Sequence, residues 1–239
     1  MIQSRFNIHK ELLLLYNKNF HQGENGWNLE KKTNVMLFNV SKSYSYPPEY
    51  SFANGNILQV VEKTKLLGVH LNSNLSWNDN TAQIIKKAMA KMWLLRRMKN
   101  VQLDVHIIFD YYLKEIRPLV EYASPVWNSG LTFKQSYDIE RTQKVALKII
   151  LGRCYNSYSD ACNFFQIDTL ADRREKLSVK FAVKTYRGER RRQFFNISET
   201  ERQTRKNKLV IENFARTKRC FNAPHNALAR ILNENAALV

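Results

Sequence analysis

The stretch Tyr112-Leu-Lys-Glu-Ile-Arg-Pro-Leu-Val-Glu-Tyr-Ala-Ser-Pro-Val-Trp127 decides how this chain is read. Pro118 and Pro125 bracket an aromatic corner. Proline fixes φ and removes an N–H donor, so a helix starting near Leu103 is predicted to kink at Pro118 and stop by Pro125. Tyr122 and Trp127 then fall where one helix hands over to the next, each with a ring to bury and a polar atom needing a partner. Downstream, a polar turn leads to an amphipathic run that ends in Ile149-Ile-Leu-Gly152.

Outward from that corner the pattern is helical. Ile84, Ile85, Ala88, Met92 and Leu95 recur at helical spacing and predict a helix from about Thr81 to Met98, capped by Asn78, Asp79 or Asn80. Leu103, Ile107, Tyr111, Ile116 and Leu119 are the expected core of the second helix. Thr132 is placed to cap the third, which carries Ile139, Val145, Ala146, Ile149 and Ile150, and Gly152 to end it. Short connections favour antiparallel neighbours and hence a small bundle. Further helices are expected over Tyr158–Phe165 and Leu170–Tyr186.

The N-terminal third reads differently. A short helix from Phe6 to Phe20 is followed by a buried strand over Asn34–Phe38. Tyr44–Pro48 reads as a loop, and Tyr50–Val61 as a hairpin turning on Asn54-Gly55. Lys65–Leu71 is expected as one further strand.

Charge is the outlier in composition. The 239 residues carry 38 Lys and Arg against 21 Asp and Glu, a net +17. Solubility alone needs about 2–8 charges, so the excess points to a polyanionic partner. Cys154, Cys162 and Cys220 show no C-x-x-C spacing, and the five histidines are scattered, so no zinc-finger metal site is expected. Free thiols fit a reducing, intracellular compartment, nuclear or cytoplasmic. No apolar run approaches the ~20 residues a membrane helix needs, so no membrane partner is expected.

The ordered series Ile116–Trp127, Ile139-Glu-Arg-Thr-Gln-Lys144 and Ile149–Gly152 resembles the region downstream of the catalytic core in reverse transcriptases of non-LTR (LINE and jockey-like) retrotransposons. The resemblance is best from Lys63 to Lys184 and looser elsewhere. It implies an α+β, mainly α fold. A small antiparallel β remnant of a palm (1–78) would precede a thumb-like helical bundle (79–152). A basic helical C-terminal region (153–239) would follow, with a mobile loop near 190–210.

The resemblance also implies roles. Lys32, with Thr33 and Phe38, matches a palm motif whose lysine lies near the incoming nucleotide's phosphates; a solvated side chain is the alternative. Leu67 and Gly68 match the primer grip, where a residue without Cβ lets the backbone approach the primer end; close strand packing is the alternative. Lys86, Lys87, Lys91, Arg96, Arg97 and Lys99 lie on the helix that would open the thumb and are candidates for nucleic-acid backbone contact. Arg190, Arg191 and Arg192 belong to a basic run that could contact nucleic acid, serve as a nuclear address, or form a solvated loop. The family has a similar segment to Leu170–Arg174, with paired arginines after a leucine.

The family's chemistry is RNA-directed DNA polymerisation with Mg²⁺ held by aspartates, one pair adjacent in sequence. Two cations a few ångströms apart need several converging carboxylates. No Asp-Asp occurs in these 239 residues. The chain is therefore expected to be a fragment without catalytic residues, metal ligands or cofactor of its own, separated from the fingers and the rest of the palm. It retains affinity for template–primer RNA or DNA in this reading. The alternatives are a host-used RNA/DNA-binding or interaction module, a relic without selected function, or part of a longer active enzyme whose start lies upstream. The purified chain should give no template-dependent primer extension with Mg²⁺ or Mn²⁺, and extension above background would contradict this.

Overall fold

The computed structural model describes residues 34–36, 59–197, 208–215 and 217–238, with the side chains of Asn34, Arg190, Arg191 and Arg219 left undescribed. The expected helix over Phe6–Phe20, Lys32, Thr33, Phe38, the Tyr44–Pro48 loop and the Asn54-Gly55 turn lie outside these residues. The chain forms two compact units, Met1–Asp79 and Asn80–Val239. The described residues are mainly helical with a small amount of strand.

In the first unit, β1 (Asn34–Val35) pairs in parallel with β2 (Gln59–Val60). The second arm of the expected 50–61 hairpin is thus partnered by β1 where it is described. β3 (Lys63–Leu66) and β4 (Val69–Asn72) form an antiparallel hairpin, with Lys63 opposite Asn72 and Leu66 opposite Val69. Lys65–Leu71 is therefore two strands and not one. The break falls at Leu67 (φ 47°) and Gly68 (φ 87°), which supply the two successive positive φ values of a tight hairpin turn.

α1 (Asn78–Asn100) starts about three residues earlier than expected, after a turn in which the Asn72 side chain accepts from the Ser76 N–H at 2.7 Å. Its inward stripe is Ala88, Met92 and Leu95, each fully buried. α2 (Val105–Tyr111) is opened by Asp104, whose carboxylate accepts from the His106 N–H. A π-turn over Tyr112–Ile116 follows, and α3 (Arg117–Glu121) carries Pro118 in its first turn. Proline cannot donate to a carbonyl four residues back, and its ring crowds that carbonyl. The Arg117 N–H bonds to the Tyr112 carbonyl instead, which widens the turn ahead of the proline.

That π-turn corrects the expected core. The buried positions are Ile108, Phe109, Tyr112, Ile116 and Val120, while Leu103 and Ile107 are exposed and Tyr111 and Leu119 only half-buried. Steps of four residues drift roughly 40° each around an ideal α-helix. The wider turn absorbs that drift and keeps Ile108, Tyr112, Ile116 and Val120 on one side. Leu103 precedes the Asp104 cap and so lies outside the helix altogether.

The proline corner is sharp. The helix ends at Glu121, and Ala123 takes the left-handed conformation (φ 53°, ψ 24°), costly for a residue with a Cβ. α4 (Ser124–Trp127) then buries Trp127 completely, its Nε1–H donating to the Tyr122 carbonyl at 2.9 Å. Tyr122 does not share that burial. Its extended ψ of 125° takes the chain out of the helix, and its ring is more than half exposed.

α5 (Phe133–Leu151) begins with a reciprocal capping box. Gln135 N–H donates to Thr132 Oγ1 (3.2 Å), and Thr132 N–H donates to Gln135 Oε1 (2.7 Å). It ends at Gly152, which has φ 58°. Lys99 Nζ donates to the Ile150 carbonyl at 2.7 Å and so satisfies one of the last-turn acceptors of α5. α6 (Tyr158–Phe165) and α7 (Leu170–Arg187) open on Ser157 and Thr169, whose hydroxyls cap the Asp160 and Asp172 N–H groups. Phe165 of α6 stacks on Phe109 of α2 with centroids 3.9 Å apart. The helices on either side of residue 152 thus share one compact unit.

A second core cluster closes the C-terminal end. Ala182 and Tyr186 of α7 pack with Phe195, Val210, and Ala229 and Leu232 of α9 (Pro224–Glu234). α8 (Glu189–Arg192) and a bridge between Ile197 and Val210 lie within the span expected as a mobile loop, whose residues 198–207 are outside the described set. The Asn233 amide holds Val210 from both sides, accepting from its N–H (3.1 Å) and donating to its carbonyl (3.0 Å).

A buried polar chain ties α5 to its neighbours. Tyr112 O–H donates to Gln143 Oε1 at 2.5 Å. Gln143 Nε2 donates to Tyr158 Oη (2.8 Å) and to the Asp168 carbonyl (3.0 Å). Tyr158 O–H donates to Glu140, whose carboxylate also accepts the Leu170 and Ala171 N–H groups at the start of α7. Replacing Tyr112→Phe leaves the Gln143 oxygen buried without its donor, at a cost of about 1–3 kcal/mol. Urea unfolding should show that loss at unchanged m-value, and an unaffected midpoint would contradict the importance of the chain.

Candidate nucleic-acid interface

α1 offers the largest group of sequence-predicted site residues. Because Ala88, Met92 and Leu95 fix which side faces inward, the opposite side must face solvent. Lys86 and Arg97 are exposed there, and Lys87 and Arg96 are exposed on its two flanks. Among the described residues, none of the four is within salt-bridge distance of a carboxylate. Trp93 is 63% exposed on the same side, with the Arg97 guanidinium 5.8 Å from its ring centroid. Cations on a rigid helix can contact phosphates without first breaking an ion pair.

Lys91 and Lys99 do not share that availability. Lys91 pairs with Glu115 across to the π-turn, and that contact raises its pKa. Lys99 is spent on the end of α5. Both point toward the bundle because they lie on the flanks of the buried stripe, at helical steps from Ala88 and Leu95.

The other predicted positions are dispersed. Leu67 and Gly68 sit at the tip of the β3–β4 hairpin, with Leu67 83% exposed. Arg192 folds back, its guanidinium 4.6 Å from the Tyr186 ring centroid and donating to Tyr186 Oη at 3.1 Å. Arg190 and Arg191 lie in α8, and nothing more is described of their side chains. The family-like arginine pair faces inward. Arg173 makes a two-pronged contact with Glu121. Arg174 is fully buried, donating from Nε to Asn128 Oδ1 and from Nη2 to Ser136 Oγ, each at 3.0 Å. Its Nη1 has no hydrogen-bond partner among the described residues, and burial lowers its pKa. These arginines hold helices together and are not presented to a ligand.

Burial raises the pKa of the Tyr112 and Tyr158 hydroxyls, with the hydrogen bond to Glu140 adding to the effect at Tyr158. Both remain protonated donors at neutral pH, which suits a structural role. Among the described residues no group of three or more His, Cys, Asp or Glu side chains is arranged to hold a metal ion. Nor is any helix there long and apolar enough to cross a membrane. A cleft of about 830 Å³ runs along α7, lined by Val179, Lys180, Val183 and Lys184 with Asp168 and Glu175 nearby, and contains no sequence-predicted site residue.

One surface went unread in the sequence. The outward side of α5 carries Phe133, Tyr137, Arg141, Lys144 and Lys148 at steps of four, four, three and four residues. The signal was present as aromatic and basic residues at helical spacing, and it needed the helix phase to be seen. Comparison with protein-family models, with curated proteins and with solved structures finds no match for this chain.

Proposed function

We propose that this chain is the part of a non-LTR retrotransposon reverse transcriptase beyond its catalytic aspartates, and that it grips RNA or DNA by the phosphate backbone. The family assignment rests on the ordered sequence resemblance from Lys63 to Lys184. The gripping role rests on one observation: Lys86, Lys87, Arg96 and Arg97 stand exposed on α1, with no carboxylate in salt-bridge distance among the described residues. The net charge of +17 supplies long-range attraction for the same partner.

The chain carries out no phosphoryl transfer in this proposal. Mg²⁺ chemistry belongs to the aspartate-bearing segment of the family enzyme, and no adjacent aspartates occur in these 239 residues. The contribution here is positional, since phosphate contacts fix register and orientation without reading sequence.

Each phosphate contact releases a condensed counterion, so affinity for duplex DNA should fall with salt. With the four α1 cations engaged, binding should weaken by about 10²-fold between 50 and 200 mM salt. The K86Q/K87Q/R96Q/R97Q variant should flatten that dependence. Fluorescence anisotropy with a labelled duplex measures both. Salt-insensitive binding, or an unchanged slope in the variant, would refute the role assigned to α1.

A further inference from the structure

We infer that the outward side of α5 is a second nucleic-acid site, selective for unpaired bases, in which Phe133 and Tyr137 stack on bases and Lys134, Arg141, Lys144 and Lys148 hold the phosphates. The inference rests on the reading of the chain as a nucleic-acid-binding protein and adds a ligand class to it.

The geometry comes from the helix phase. Gln135, Ile139, Thr142, Gln143, Ala146, Leu147 and Ile150 are buried, which fixes the inward side of α5. The opposite side holds Phe133, Lys134, Tyr137, Arg141, Lys144 and Lys148. Phe133 is 90% exposed and Tyr137 is 52% exposed. A phenylalanine so open to water gains nothing from the fold, because its ring is left almost wholly hydrated. It follows the capping residue Thr132 directly, so its position is nonetheless fixed by the capping box.

The charge on this side is mainly positive, with the half-buried Asp138 at its edge. Among the described residues, no carboxylate lies within salt-bridge distance of Lys134, Arg141, Lys144 or Lys148. Glu140 lies on the same helix but is turned inward, where it caps α7. Lys144 Nζ sits 5.1 Å from the ring centroids of both Tyr137 and Tyr158, which steadies the Tyr137 ring. From Phe133 to Lys148 the stripe is roughly 22 Å long, enough for several nucleotides.

These features select the ligand. A surface with only cations would take any polyanion. Exposed rings add a preference for π-faces, which a paired duplex hides within its stack and a single strand displays. An acidic protein segment could satisfy the cations but supplies no series of flat faces. The α1 surface, with Lys86, Lys87, Arg96 and Arg97 exposed, is the phosphate-gripping counterpart.

The test compares a labelled oligothymidylate with a duplex of equal length by fluorescence anisotropy at one salt concentration. F133A/Y137A should weaken oligothymidylate binding about tenfold or more, since stacking contributes ~1–3 kcal/mol per base, and leave duplex binding within about twofold. Because Phe133 and Tyr137 are exposed, the variant should keep the wild-type circular dichroism and melting temperature. R141Q/K148Q should weaken oligothymidylate binding and reduce its salt dependence. Unchanged oligothymidylate affinity in F133A/Y137A, or an equal loss for duplex, overturns the α5 site while leaving the phosphate-gripping reading standing. Failure of the wild-type chain to bind either nucleic acid at low salt overturns both.

Discussion

The buried amide of Gln143 is the constraint on which the helical unit depends. It accepts from Tyr112 and donates to Tyr158 and to the Asp168 carbonyl, so it touches the π-turn, α6 and the entry to α7. A polar group buried at 0% exposure costs stability unless its bonds are made, and here they are. Glu140, one helical step away, completes the set by capping the first N–H groups of α7 with its carboxylate. Helix N-termini favour negative charge, so this contact gains from the α7 dipole as well as from hydrogen bonding. Rotating α5 by one residue would break these contacts together.

Fixing the rotation of α5 fixes what it shows to solvent. The residues that make the inward contacts leave Phe133, Tyr137, Arg141 and Lys148 no inward place to go. α1 follows the same logic with simpler means: Ala88, Met92 and Leu95 set its phase by packing, and Lys99 ties its end to the end of α5. Two outward sides rich in cations therefore arise from two differently secured helices. Several acids of this unit are paired within it, Glu121 with Arg173 and Glu115 with Lys91. That internal use leaves the surplus of positive charge facing outward.

Much of the helical unit was legible in sequence because its signals are local. Thr132 and Gly152 mark the ends of α5 through capping and positive φ, and Pro118 and Pro125 each stand in the first turn of a new helical segment, with the chain leaving the helix between them. What escaped was phase. The π-turn at Tyr112–Ile116 moved burial from Ile107 and Tyr111 to Ile108, Phe109 and Tyr112, and no spacing rule for an α-helix anticipates a turn of different width. The Leu67-Gly68 turn escaped for a related reason, since a leucine at positive φ is rare and its apolar neighbours read as a continuous strand. Lys91 and Lys99 were counted with the phosphate candidates because sequence gives their charge and not their partners. The α5 stripe becomes legible only once the buried residues of the helix fix its phase, because its aromatic and basic residues are interleaved with the apolar ones in sequence.

Amide chemical-shift mapping during titration with a short single-stranded oligonucleotide tests the whole account most directly. Perturbations should gather on the outward residues of α1 and α5, from Lys86 to Arg97 and from Phe133 to Lys148, while Tyr112 and Gln143 stay unshifted. Perturbations confined to the α7 cleft around Val179 and Val183, or none at saturating oligonucleotide, would contradict it.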